Sequence, residues 1–120
     1  MVYNLIIDDS RTIQMVYNVT GNSIYINLKW IIVKSFDEFV KTIIDKGIPE
    51  NISFDHDLGD FILEDGELKE RTGYDCIKWL VDYCQDNNLK LPNCLVHTSN
   101  TVGSENIKRY IGNSKKHLGI

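Results

Sequence analysis

Val2-Tyr3-Asn4-Leu5-Ile6-Ile7-Asp8-Asp9-Ser10-Arg11 is a short apolar run cut off by two carboxylates. Its length and its β-branched residues favour a buried strand over a helix. Two later runs have the same form. Residues 51–54 lead into Asp55-His56-Asp57-Leu58-Gly59, and Cys94-Leu95-Val96, which follows Pro92, ends in His97-Thr98-Ser99-Asn100. A fourth strand, Trp30-Ile31-Ile32-Val33, lies in an apolar segment that also holds Ile24-Tyr25-Ile26, and no comparable polar cluster follows it.

Helical patterns separate these strands. Ile13, Val16 and Tyr17 have helical spacing, and Gly21-Asn22 is a stop signal. Ser35-Phe36-Asp37-Glu38 reads as a capping box, followed by an apolar face of Phe36, Phe39, Val40, Ile43 and Ile44 and a stop at Gly47 and Pro49. Thr72-Gly73-Tyr74-Asp75 opens the strongest helix, with Tyr74, Ile77, Leu80, Val81 and Cys84 on one face and a stop at Asn87-Asn88. Gly103-Ser104-Glu105 starts a last helix with Ile107, Tyr110 and Ile111 inward, and from Gly112 the chain reads as a fraying tail. Residues 60–71 are acidic and polar. Asp65-Gly66 at their centre is a hairpin signal, so this insert is expected as a small β-ribbon or a flap.

Strands alternating with helices imply an α/β fold with a mainly parallel sheet, right-handed crossovers and helices on both faces. Residues 1–120 are expected to form a single domain, since one core is what this length supports. Open α/β sheets bind ligands beyond the carboxyl ends of their strands, where the strand order reverses. In the order 2-1-3-4 the three strands that end in polar clusters are neighbours. Asp8, Asp9, Asp55, His56, Asp57 and His97 are therefore expected at one sheet edge.

Carboxylates held close repel one another unless a shared proton or a cation neutralises them. Asp8, Asp9, Asp55 and Asp57 offer hard oxygen ligands suited to a divalent metal, Mg²⁺ or Mn²⁺ above all. His56 and His97 suit a general acid and base, because an unperturbed imidazole titrates near pH 6.5. Arg11, Ser99 and Asn100 are candidates to hold a phosphate, the last two with the amides of the helix they precede. Other readings of some of these residues stay open. Asp9 or Ser10 could instead cap the first helix, and Arg11 would equally pair with an aspartate. Asp75 reads as the cap partner of Thr72, and Gly73 and Gly103 as backbone requirements.

The net charge of −4 lacks the basic footprint of proteins that coat duplex nucleic acid. Three cysteines, Cys76, Cys84 and Cys94, make a poor disulfide framework and read as reduced core residues. No apolar run approaches a membrane span and no secretory signal opens the chain, so a cytoplasmic location is expected. The Asn-, Lys- and Ile-rich composition fits an AT-rich phage or bacterial genome.

An acidic pair after the first strand, an aspartate after the third and a hydroxyl after the fourth resemble the response-regulator receiver domain. That likeness implies Mg²⁺ at Asp8-Asp9, phosphorylation at Asp55 and a switch hydroxyl at Thr98 or Ser99. No clear fifth strand carries that family's lysine. Asp8-Asp9-Ser10-Arg11-Thr12, Ser53-Phe54-Asp55-His56-Asp57-Leu58, Thr72-Gly73-Tyr74-Asp75 and His97-Thr98-Ser99-Asn100-Thr101-Val102-Gly103 more closely resemble the cyclic-phosphate-processing receiver-like family. Ile13 and Thr101 stand where that family usually has proline. The resemblance implies a receiver-like three-layer fold of four to five strands in the order 2-1-3-4, with any fifth strand last. It also implies a phosphoesterase acting on the cyclic phosphate of a nucleotide or an RNA end. The alternatives are a signalling module phosphorylated on Asp55 and a non-catalytic binder of a nucleotide or protein.

Overall fold

The computed structural model describes residues 2–98 and 100–118, with side chains as far as residue 115. Among these, β1 (Asn4–Ile7), β2 (Ile31–Val33), β3 (Asn51–Phe54) and β6 (Asn93–Val96) form one parallel sheet in the order β2-β1-β3-β6. This is the expected 2-1-3-4 arrangement, with the chain of the insert counted separately. β4 (Asp60–Glu64) and β5 (Glu67–Arg71) pair antiparallel as a hairpin outside that sheet. At its tip Asp65 and Gly66 have φ of 52° and 77°, the left-handed pair that a two-residue hairpin turn demands.

The period-2 alternation of the strands divides the core into two layers. Leu5, Ile7, Ile52 and Phe54 point to one face, where they meet Phe39 and Ile43 of α3 (Phe36–Lys46), Ile77 and Leu80 of α4 (Gly73–Asp86), and Ile107 and Ile111 of α5 (Thr101–Leu118). Ile6 points the other way and packs with Val16 of α1 (Ile13–Thr20) and Tyr25 of α2 (Ile24–Asn27). Burying one such aliphatic side chain is worth about 1.5–3 kcal/mol. Cys76 and Cys84 are buried in the larger layer and Cys94 packs against it, all three as free thiols.

Local chemistry explains most element ends. The first helix is capped by neither Asp9 nor Ser10. Thr12 is the cap, its hydroxyl accepting the Met15 N–H at 3.2 Å. Gly21 closes that helix in the left-handed conformation. Ser35 caps α3 by accepting the Glu38 N–H at 3.2 Å, and the Phe36 N–H goes to Asp60 Oδ2 at 3.0 Å. That second bond ties the start of the hairpin to the start of α3. Ile44, expected inward, is exposed. Asp75 and Thr72 form the expected capping box of α4.

Ile24-Tyr25-Ile26, apolar beside a strand, forms one helical turn that delivers Tyr25 beneath the sheet. One expectation is corrected. The last helix starts two residues earlier than Gly103 and continues through Gly112 to Leu118. Asn100 Oδ1 accepts the Gly103 N–H at 2.8 Å and so sets the earlier start. One interior glycine costs a helix only about 1 kcal/mol, too little to end it.

The parallel register brings the polar strand ends together. Ile7, Phe54 and Val96 are aligned across β1, β3 and β6. The next residue on each strand is Asp8, Asp55 and His97, and each continues the ladder by one backbone bond, Asp8 N–H to Val33, Asp55 N–H to Ile7 and His97 N–H to Phe54. At the opposite end of the same strands Asn4, Asn51 and Asn93 are aligned. Their side-chain amides form a ladder, Asn93 to Asn51 at 2.8 Å, Asn51 to Asn4 at 2.9 Å and Asn4 to the Lys29 carbonyl at 3.0 Å.

Candidate active site

Asp8, Asp9 and Asp55 each present a carboxylate oxygen within 4.8 Å of the others. Asp8 and Asp55 are buried and Asp9 stands at the solvent edge. Gly59 explains how the following loop closes on them. Its φ is +58°, and a Cβ there would lie 3.2 Å from Asp9 Oδ2.

Asp8 is the most heavily bonded of the three. Oδ1 accepts the N–H groups of Ser10 and Arg11, both at 2.9 Å, so the chain turns sharply after the strand. Oδ2 faces His97 Nε2 at 3.0 Å and Arg11 Nη1 at 3.4 Å. Burial pushes this carboxyl up, but the bonds from His97, Arg11 and Ser10 outweigh it and hold Asp8 well below the usual carboxylate range. Asp55 moves the opposite way. Burial raises it and the neighbouring Asp8 charge raises it further, against the Thr98 hydroxyl, His97 and Arg11.

Arg11 does not project freely toward a ligand. Its Nη1 lies 3.4 Å from Asp8 Oδ2 and 3.6 Å from Asp55 Oδ2, the aspartate pairing that competed with phosphate binding in the sequence. Three ionised carboxylates and one guanidinium leave a charge of −2. A hard divalent cation fits that charge and that all-oxygen donor set.

Asp57 lies apart from the acidic group. Its side chain is 58% exposed, and Oδ1 bonds His56 Nδ1 at 2.9 Å. Asn100 Nδ2 approaches Asp57 Oδ2 at 3.2 Å, while Asn100 Oδ1 caps α5. The His56 bond, aided by Asn100, keeps the Asp57 carboxyl below its ordinary range. An ionised Asp57 accepts, so His56 carries its proton on Nδ1. The His56 ring lies against Gly103, where a Cβ would come within 2.4 Å of its Cγ. His56, Asp57, Asn100 and Gly103 thus form a second group beside the carboxylates.

His97 is buried with both ring nitrogens engaged, Nε2 with Asp8 and Nδ1 with Ser53 Oγ at 2.7 Å. Ser53 in turn meets the Tyr25 hydroxyl at 2.7 Å. Neither Tyr25 nor Ser53 stood out in the sequence as a site residue. Ser53 had a signal, a hydroxyl in the middle of an otherwise apolar buried strand. Tyr25 had none. Thr98, whose hydroxyl reaches Asp55, was expected only through the receiver likeness. Ser99 lies outside the described residues.

Among the described residues no helix is long and apolar enough to cross a membrane. Neither the curated proteins nor the solved structures contain a match to this chain. The family model of the cyclic-phosphate processing receiver domain matches residues 3–113, nearly the whole length, and the chain belongs to that family.

Proposed function

We propose that the chain is a metal-assisted phosphoesterase that opens a 2′,3′-cyclic phosphate on a nucleotide or an RNA end. The observation that carries this reading is the adjacency of two unlike groups. Asp8, Asp9 and Asp55 form a compact set of hard oxygen donors, and beside it His56 is held by Asp57 through Nδ1.

Asp8, Asp9 and Asp55 would hold the cation. A divalent cation bound there would polarise a phosphoryl oxygen and acidify a coordinated water. His56 does the proton work. With Nδ1 committed to Asp57, Nε2 is the nitrogen that exchanges a proton, the division of labour seen wherever a carboxylate orients a catalytic imidazole. It takes a proton from the attacking water as the new P–O bond forms. It returns that proton to the ribose oxygen released when the cyclic P–O bond breaks. Asn100 braces Asp57, and Arg11 offsets charge between Asp8 and Asp55. His97 belongs behind Asp8 as a positioning residue rather than as the second partner in proton transfer.

The test is hydrolysis of 2′,3′-cyclic AMP followed by chromatography, with Mg²⁺, with Mn²⁺ and with EDTA. Turnover is expected with a metal only, and His56→Ala should lower kcat by about 100-fold, the scale of general acid–base catalysis. Normal turnover in His56→Ala, or no turnover with either metal, sinks the reading.

A further inference from the structure

Four polar residues lie in one unbroken line through the smaller core layer: Tyr25, Ser53, His97 and Asp8. Each is at most 2% exposed. The contacts are Tyr25 Oη to Ser53 Oγ at 2.7 Å, Ser53 Oγ to His97 Nδ1 at 2.7 Å and His97 Nε2 to Asp8 Oδ2 at 3.0 Å. Among the described residues no buried side-chain nitrogen or oxygen lacks a partner. A buried polar line of this kind is costly unless every member is satisfied.

Satisfaction fixes the direction of the bonds. The Asp8 carboxylate already receives the N–H groups of Ser10 and Arg11 and faces the Arg11 guanidinium, so it acts as an acceptor throughout. His97 must then carry its hydrogen on Nε2, because the other tautomer would aim a bare lone pair at a carboxylate. In the neutral ring Nδ1 is then an acceptor and takes the Ser53 hydroxyl hydrogen. The Ser53 oxygen is left to accept from the tyrosine, which donates. One donor direction runs from Tyr25 to Asp8, and every link depends on the one before it.

Asp8 is the only member of this line in the three-carboxylate group. The Tyr25 end is anchored in packing, against Ile6 and Val16, beside the Trp30 ring at 5.4 Å and edge-on to the His97 ring at 6.1 Å. The line therefore connects a buried, packed part of the core to one carboxylate oxygen. We propose that Tyr25 and Ser53 are positioning residues that, through the Nε2–H tautomer of His97, hold Asp8 Oδ2 in the orientation the acidic group needs to bind a divalent cation. This rests on the metal-binding reading above and extends it to two residues that touch neither metal nor substrate.

Groups that orient metal ligands typically change affinity by about 10–100-fold when removed. The experiment combines ¹⁵N NMR of the metal-free chain with Mn²⁺ titration followed by EPR. In the wild type, His97 should show the Nε2–H tautomer. Ser53→Ala should weaken Mn²⁺ binding at least about 10-fold, Ser53→Thr should restore it, and Tyr25→Phe should weaken it by a smaller factor. Tyr25→Phe also stands in should Ser53→Ala fail to fold, as judged by thermal melting. An Nδ1–H tautomer overturns the proposal. So does undiminished Mn²⁺ affinity in both folded variants, and in that case the metal-binding reading survives. A wild type that binds no Mn²⁺ overturns both.

Discussion

Asp8 and Asp55 stand side by side at the ends of adjacent strands with one guanidinium between them, Arg11 Nη1 lying 3.4 Å from the first and 3.6 Å from the second. Their environments drive them apart. Asp8 is held low by its hydrogen bonds against the push of burial, and Asp55 is raised by burial and by Asp8 itself. A pair of titratable groups separated in this way is a mark of functional sites.

The separation predicts opposite stability effects in the metal-free protein. The lowered Asp8 stabilises the fold above the unfolded carboxyl value of about 3.9 and loses that contribution as pH falls toward its folded value. The raised Asp55 has the reverse sign. Stability is lost as pH climbs from about 3.9 through its folded value, because its ionised form is disfavoured in the native state. Asp55→Asn should therefore raise the melting temperature in EDTA at pH 7, by about 4 °C for a gain near 1 kcal/mol in a chain of this size. The gain should vanish near pH 3.5, below the window in which Asp55 titrates. Asp8→Asn should lower stability at pH 7 by about 2 kcal/mol. Thermal melts across pH check both, and a lower melting temperature for Asp55→Asn at pH 7 refutes the argument.

Asp57 separates two roles that its sequence neighbourhood merged. As a metal ligand its loss would cost cation affinity. As the partner of His56 its loss should cost rate instead. In the geometry it bonds His56 and Asn100, away from the three-carboxylate group. Asp57→Asn should leave the stabilisation by Mn²⁺ intact, about 2.7 kcal/mol at one hundred times the dissociation constant. It should lower kcat on a 2′,3′-cyclic nucleotide about 100-fold with little change in KM. Loss of the Mn²⁺-induced shift in melting temperature would return Asp57 to the metal.

The meeting of these residues at one sheet edge was readable because it depends on two simple periodicities. Strand ends are marked where apolar runs stop, and a parallel register then makes Asp8, Asp55 and His97 neighbours without any side-chain detail. The roles were less readable because each depends on rotamers and on what lies behind the strand. His97 looked equivalent to His56, yet one ring is sealed behind Asp8 and the other lies against Gly103. Asp57 looked equivalent to Asp55, but it follows the end of β3, where strand alternation no longer sets its direction. Tyr25 reached the site through a one-turn helix that its apolar neighbours disguised. Propensity over four residues is too weak to reveal such a turn.

The asparagine ladder at the far end of the sheet should act on stability alone. Asn51 is the middle rung, bonded to Asn4 and Asn93. At about 0.5–1.5 kcal/mol per net hydrogen bond, Asn51→Ala should cost about 1–2 kcal/mol. Asn93→Ala removes one exposed rung and should cost about half as much. Urea denaturation gives both values, and turnover per folded molecule should stay at the wild-type level. An Asn93→Ala variant less stable than Asn51→Ala would contradict this order.

Two glycines touch the same loop and should fail in different ways. A Cβ on Gly73 would lie 1.7 Å from the Asp55 carbonyl oxygen, and the Gly73 N–H bonds the His56 carbonyl at 2.8 Å. Both obstacles are backbone, so the N-terminus of α4 must retreat from the strand end. Gly73→Ala should destabilise the chain by about 3 kcal/mol, the range of overpacked cores, and weaken metal binding by moving Asp55. The nearest neighbours of a Cβ on Gly103 all belong to the His56 side chain, Cγ at 2.4 Å and Cβ at 2.9 Å. The ring can swing away about χ1 and only a small backbone shift then clears the His56 Cβ, while alanine is worth up to about 1 kcal/mol more than glycine inside a helix. Gly103→Ala should therefore melt within a few degrees of the wild type and bind Mn²⁺ normally. Its turnover should fall toward that of His56→Ala, because the imidazole is displaced from Asp57. Melting, Mn²⁺ titration and kcat measured on both variants distinguish a lesion of the fold from a lesion of the site. Full activity in a well-folded Gly103→Ala protein would mean that the pose of His56 against this helix is not the one used in catalysis.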